Sequence, residues 1–270
     1  MTDINAEKIQ IQRRILLARQ ADQEQRKPLL HDPLEEVLHA LLDNAELTED
    51  ELVIITQRKE LTAEMLKRLA ADRRVHASYT LKRQIIIHPK TPASVSLGFL
   101  GHIFVFDLLA ILLVPHIPRE IKTAGDEILC RKYPQLAIGE KLTLARRTNS
   151  ERLLNMLLDD TNREVVAAVL TNSFLKESII CTILRKATSK PHIVELIALN
   201  PKWSCRYDIR YALLRNRHLS LGLAINFLQT LIAKDLRDLS SDPQVSMQIR
   251  SYIKTTLLKP GGLTTKNRLN

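Results

Sequence analysis

Aromatic residues are scarce: five Phe, five Tyr and one Trp make up 4% of the chain. That is thin for a β-sandwich core and for a surface that stacks nucleic-acid bases in succession. Glycine is scarce as well, with seven, and the eleven prolines leave long stretches free of both breakers. Such stretches, rich in Leu, Ile and Ala, favour helix. The three cysteines, Cys130, Cys181 and Cys205, are odd in number, far apart and without CxxC spacing. They fit free, mostly buried thiols in a reducing compartment, so a cytoplasmic protein is expected. The eight histidines are scattered, and HExxH, GxSxG and a glycine-rich phosphate loop are all missing. Metal and nucleophilic catalysis therefore have no motif to stand on, and a non-enzymatic protein without cofactor is expected. The opening stretch MTDINAEKIQIQRRILLARQ has no uninterrupted apolar core, because Arg13 and Arg14 break it, while Asp3 and Glu7 weaken a transit-peptide reading.

What the chain does have is apolar content, positive charge and self-similarity. With 270 residues, 45% of them hydrophobic, it can bury a substantial core. A formal charge of +10 sets up a field that attracts nucleic acid, anionic lipid or an acidic protein, which selects a sign and not a partner.

The self-similarity has a fixed register. LLHDPLEEVLHALLDNAEL, Leu29 to Leu47, aligns without a gap on LLDDTNREVVAAVLTNSFL, Leu157 to Leu175, an internal duplication at offset 128. Held fixed, that offset takes Ala70 onto Ala198, Tyr79 onto Tyr207, Lys82 onto Arg210, Asp107 onto Asp235, Pro115 onto Pro243 and Ile121 onto Ile249. A shorter period runs inside each copy: Asn44 to His88 is 44 residues, and so is Asn172 to Asn216. Each of these sits between two apolar segments, in a turn that its side chain is suited to brace through local backbone hydrogen bonds. A period of 40 to 47 residues with two helices per unit is the signature of helical-hairpin solenoids. Helix starts agree: Thr48 can cap a helix whose first turn holds Glu49, Asp50 and Glu51, and Thr91 precedes Pro92, a residue suited to a first turn.

The segments HPKTPASVSLGFL, NPKWSCRYDIRYALL and DPQVSMQIRSYI resemble the HEAT-like and leucine-rich-repeat-variant α-solenoids, whose repeats use Asn-Pro or Asp-Pro turns followed by short helices. The likeness covers about Leu29 to Leu258. It implies an all-α, right-handed α-solenoid of about five helix-hairpin repeats that serves as a scaffold or adaptor. The iron–sulfur cluster associated with the variant family does not carry over, because no cysteine precedes Cys130. HEAT-like alkylpurine DNA glycosylases surround the lesion with several aromatics and a carboxylate; here Trp203 stands alone, at the position of Val75 in the other copy, which points to packing. The expected organisation is an N-terminal helix over 1–28, a solenoid over 29–258 with duplicated halves 29–130 and 157–258 around a middle unit 131–156, and a flexible tail over 259–270.

Two candidate surfaces follow. The most apolar run, FVFDLLAILLVP from Phe104 to Pro115, aligns on the amphipathic IAKDLRDLSSDP, Ile232 to Pro243. A membrane span is disfavoured by Asp107 and by the polar duplicate. Either the extra apolar residues pack within the chain, or Phe106, Leu109, Leu112 and Leu113 form a docking patch for a protein partner. Left in water, the six extra apolar side chains, Phe106, Leu109, Ala110, Leu112, Leu113 and Val114, would forgo on the order of 10 kcal/mol of burial. The second candidate is a basic face of Arg74, Lys82, Lys202, Arg206 and Arg210, extended by Lys67, Arg68, Arg73, Arg83, Arg215 and Arg217, which would track the phosphates of a nucleic acid or rest on an anionic membrane. The alternative is a solvated face with local acidic partners. Protein binding is the leading expectation and nucleic-acid binding the alternative.

Overall fold

The computed structural model describes residues 2–257, with side chains placed from Lys8 onward. All regular structure among them is helical. Leu258 and the expected tail over 259–270 lie outside the described residues. The chain divides into two compact units, Met1–Arg131 and Lys132–Asn270.

The first unit contains α1 (Thr2–Gln20), α2 (Gln23–Leu29), α3 (Glu35–Leu42), α4 (Glu49–Thr56), α5 (Ala63–Ala71), α6 (Arg73–Ala77), α7 (Tyr79–Ile87), α8 (Ala93–Leu100), α9 (Val105–Leu113) and α10 (Arg119–Lys132), the last ending just past the boundary. The second contains α11 (Ile138–Arg147), α12 (Glu151–Leu158), α13 (Arg163–Thr171), α14 (Glu177–Arg185), α15 (Pro191–Leu199), α16 (Pro201–Ser204), α17 (Tyr207–Arg215), α18 (Leu221–Leu228), α19 (Ala233–Ser241) and α20 (Met247–Tyr252), followed by a π-helical turn, Ile253–Leu257. Every helix from α2 to α10 has a counterpart from α12 to α20 whose first residue lies at the same fixed offset, Gln23 onto Glu151 at one end of the series and Arg119 onto Met247 at the other.

The repetition reaches individual hydrogen bonds. Asn44 Nδ2 donates to the Ala18 and Ala21 carbonyls while its Oδ1 accepts Glu46 N–H. Asn172 Nδ2 donates to Ala145 and Thr148, and its Oδ1 accepts Phe174 N–H. The same arrangement recurs one period on, where Asn216 binds the Leu184 carbonyl and His218 N–H, and His88 bonds the Arg58 carbonyl and accepts Lys90 N–H. These polar side chains are buried because each satisfies two backbone groups of neighbouring turns. Tyr79 donates to Asp107 Oδ2 at 2.6 Å, and Tyr207 makes the equivalent bond to Asp235.

The N-terminal segment is part of this scheme, with the register moved by one. Ala18 and Ala21 answer to Ala145 and Thr148, and Arg14, which pairs with Asp32, answers to Lys141, which pairs with Asp160. A single insertion before the Ser150 N-cap of α12 accounts for the slip relative to the Asp22 N-cap of α2. The expected separate N-terminal helix is therefore two helices that open the first unit, and most of the expected middle unit 131–156 opens the second.

Within each unit helices pack on those two further along: α1 on α3, α3 on α5, α5 on α7 and α7 on α9, and likewise α11 on α13, α13 on α15 and α15 on α17. Fully buried Leu, Ile and Val side chains fill the space between, among them Leu41, Leu52, Leu66, Ile85, Val165, Ile180, Ile197 and Leu213. Thr48 caps α4 in a capping box with Glu51. At α8 the expectation is off by one: Pro92 occupies the N-cap position, and the Thr91 hydroxyl donates to the Ile85 carbonyl instead.

The two copies solve some core positions differently. In the first unit, Arg26, 3% exposed, donates through Nε to both carboxylate oxygens of Glu51 at 2.9 and 3.1 Å. Burial opposes ionisation of Glu51, yet the bonds from Arg26 and Thr48 outweigh it and hold the carboxyl below its ordinary range. In the second unit the same two positions are Leu154 and Ile179, both buried. Conversely, Asp160 of the second unit accepts from the buried Tyr133 hydroxyl, from Asn162 N–H and from Lys141, and these bonds lower its pKa against the opposing effect of burial. Burial and the Asp160 carboxylate together push the Tyr133 phenol upward.

Candidate functional site

The apolar run is settled by burial. Leu109 and Leu112 are 2% and 4% exposed, so they belong to the core and not to a docking surface. For Leu112 the reason is a size exchange across one interface. A Cβ on Gly125 of α10 would stand 2.5 Å from Leu112 Cδ2, so the glycine makes room for the leucine. In the second unit these positions are Ser240 and Ile253, both buried, with the large side chain on the opposite element. Leu113 is half-buried; Phe106 stays exposed, next to an exposed Phe104 whose ring lies 4.8 Å from that of Tyr79.

The five residues of the basic face do not form a track of free cations. Arg74 pairs with Asp72 and directs its remaining donors to the Leu42, Asn44 and Leu47 carbonyls at the end of α3. Its counterpart Lys202 reaches the Asn172 carbonyl, and the carbonyl equivalent to that of Leu42, Leu170, accepts Trp203 Nε1 at 2.8 Å. Trp203 is therefore core, 2% exposed, with Lys202 and Arg206 over its ring. Arg206 pairs with Glu177 at 2.9 Å, and Arg210 binds Thr230 and the Cys205 carbonyl. The side chain of Lys82 is half-buried without a hydrogen bond or ion pair to the described residues. Of the cysteines, Cys181 is buried, Cys130 intermediate and Cys205 exposed, so the last departs from the expected core role.

Charge is unequally divided between the copies. The first unit carries 18 Lys and Arg against 19 Asp and Glu, whereas the second carries 22 against 11. The whole positive excess lies in the second unit, on a fold otherwise shared with a near-neutral twin.

Part of that excess converges on a groove of about 700 Å³ formed by the end of α14, the end of α17 and the turn into α20. Arg185, Lys186, Arg215, Arg217, His218 and Arg250 line it, and no Asp or Glu among the described residues does. Asn216 holds the first two elements together through its bond to Leu184. The guanidinium of Arg185 is exposed and makes no ion pair or hydrogen bond among the described residues, and Arg250 Nε is buried without an acceptor. Others are partly engaged: Arg215 with Asp242 at 2.7 Å, Lys186 with Asp159 at 3.0 Å, and Arg217 with the Ala187 carbonyl at 3.0 Å. Tyr211 supplies the one phenol ring of the lining.

The first unit offers the comparison. The positions of Arg185, Lys186, Arg215, Arg217 and Arg250 are there Gln57, Arg58, Ile87, Pro89 and Lys122. Arg58 turns its guanidinium onto the Leu30 and Asp32 carbonyls, and Thr56 bonds Gln84. Arg215 and Arg217 stand out in the sequence, whereas Arg185 and Arg250 escape notice there, because the groove draws on three turns that lie far apart along the chain. The unequal charge of the two copies was the available signal.

Among the described residues, no group of three His, Cys, Asp or Glu stands in a metal-holding arrangement, and no helix is long and apolar enough to cross a membrane. No family model, curated protein or solved structure matches the chain.

Proposed function

We propose that this is a non-catalytic binding protein built of HEAT-like α-solenoid repeats, whose second unit engages a polyanionic partner. Packing of the odd-numbered helices α1 to α9 and α11 to α17 each on the next of their series, and within each unit a pair of polar turn residues 44 apart that tie adjacent turns, support the repeat reading. The observation that carries the function is the contrast between twins: a duplicated fold with all its net charge in one copy, and in that copy a groove lined by five Lys and Arg and no acid. Five cations crowded into a concave site, Arg185 among them without an ion pair to the described residues, leave part of their mutual repulsion uncompensated until an anion arrives. A protein partner docking on Leu109 and Leu112 is not carried forward, since both are inside the core.

Affinity purification from the native cell, with and without nuclease, tests this reading. Material captured by the wild-type chain and lost with Arg185→Gln plus Arg250→Gln supports it, nuclease sensitivity marking a nucleic acid and resistance an acidic protein or other polyanion. Unchanged capture by that variant would remove it.

A further inference from the structure

Resting on the polyanion reading, we infer that the groove of the second unit seats a single-stranded nucleic acid, with successive phosphates on Arg185, Arg215 and Arg250 and a base against Tyr211. Three features of the site carry this. First, the guanidiniums of Arg185, Arg215 and Arg250 present planar donor forks, the geometry that matches phosphate oxygens; Arg215 shares its fork with Asp242, while Arg185 and the Nε of Arg250 have no acceptor among the described residues. Second, the cavity of about 700 Å³ is concave and mixes these cations with Tyr211, Leu184, Pro243 and Met247. A bare anion needs no such apolar wall, whereas a base does, and a phenol ring is a stacking platform of the kind single-strand binders use. A duplex keeps its bases stacked inside and cannot place one in a pocket, so the strand must be single or locally unpaired. Third, the charge excess extends beyond the groove to the rest of the unit, including Arg146, Arg147, Lys234 and Arg237. A phosphopeptide offers isolated dianions; a continuous phosphodiester chain suits a field spread over a whole unit. The source, RNA or DNA, shares this chemistry.

The experiment uses the full chain and fluorescence anisotropy with labelled 12-mers of uridine RNA and of deoxythymidine DNA, a 12-base-pair duplex, and a phosphoserine peptide of equal charge. The inference expects at least one single strand to bind at least 10-fold tighter than the duplex and the peptide, with log K falling against log salt at a slope of about −2, for three phosphates neutralised on a single strand. Arg185→Gln plus Arg250→Gln, the first being the residue the first unit carries at that position, should shrink the slope to about −0.7. Tyr211→Leu should weaken binding by about 5- to 150-fold at unchanged slope, which separates stacking from charge. Lys90→Gln plus Lys122→Gln, at the matching place of the first unit, should leave both quantities as in wild type. Duplex or phosphopeptide bound as tightly as either strand would overturn the single-strand inference while leaving the polyanion reading standing. Failure of every probe, and of inorganic polyphosphate, to bind at low salt would overturn both. Because the wild-type slope is itself a readout, a variant that failed to fold would not shelter the inference.

Discussion

Glu51→Ile with Arg26→Leu converts a buried ion pair of the first unit into the apolar pair that the second unit already carries as Ile179 and Leu154. Removing Glu51 alone leaves the Arg26 guanidinium, 3% exposed, with the Ala21 carbonyl at 2.9 Å and the distant, solvated Glu46 at 3.6 Å. An uncompensated buried charge of that kind costs about 3–5 kcal/mol. Removing Arg26 alone should cost less, about 2–3 kcal/mol, because Glu51 keeps the Thr48 backbone and hydroxyl donors. The double variant forfeits the capping-box bonds, worth about 1 kcal/mol, but escapes the desolvation of both charges, so it should lie within about 1 kcal/mol of wild type. Urea unfolding followed by far-ultraviolet circular dichroism measures this. Each kcal/mol corresponds to a melting shift of roughly 2–4 °C for a chain of about this size. A double variant as unstable as the sum of the singles would refute the reasoning, since it would mean that the twin position is not an equivalent environment.

Asn172→Ala should destabilise by about 1–3 kcal/mol by leaving the Ala145 and Thr148 carbonyls without their donor, read as a lower urea midpoint. Leu112→Ser and Gly125→Ile should each destabilise, the first by about 2–5 kcal/mol through a cavity and the second by about 1–3 kcal/mol through overpacking. Combined, they reproduce the second unit's Ser240 and Ile253 and should recover part of the loss; a fully additive double variant would contradict the size exchange. The folded-state pKa values of Glu51, Asp72 and Asp160 are lowered, so the folded chain binds fewer protons than the unfolded one. Their contribution is therefore full above the ordinary carboxylate values of 3.8–4.5 and is lost as pH falls through the lowered ones. Unfolding midpoints measured down to about pH 3 should fall in that range, less steeply in the Arg26→Leu plus Glu51→Ile variant.

Much of the architecture was legible because the duplication is held by residues with strict tasks. Asn44, Asn172, Asn216 and His88 each bridge two turns, so their spacing survives in the sequence even where the apolar residues around them drift. The kinship of α1 with α11 was hidden by a single insertion that moves the offset from 128 to 127. The burial of Leu112 could not be read from its own helix, since it depends on a glycine in α10 that makes room for it. The partners of the basic face were hidden for a related reason: Arg74 and Arg206 have no acid four residues away on their own helices, yet Arg74 reaches carbonyls and Arg206 a carboxylate of the preceding hairpin. Arg185, by contrast, makes no hydrogen bond or ion pair among the described residues.

Hydrogen exchange along the full chain, with and without saturating single-stranded oligonucleotide, reads the asymmetry between the twins directly. Protection should concentrate at 183–187, 211–218 and 243–250, the three turns of the groove, and be missing at 55–59, 83–90 and 115–122, their equivalents in the first unit. Equal protection of both sets, or protection confined to the first unit, would contradict the assignment of binding to the charged copy.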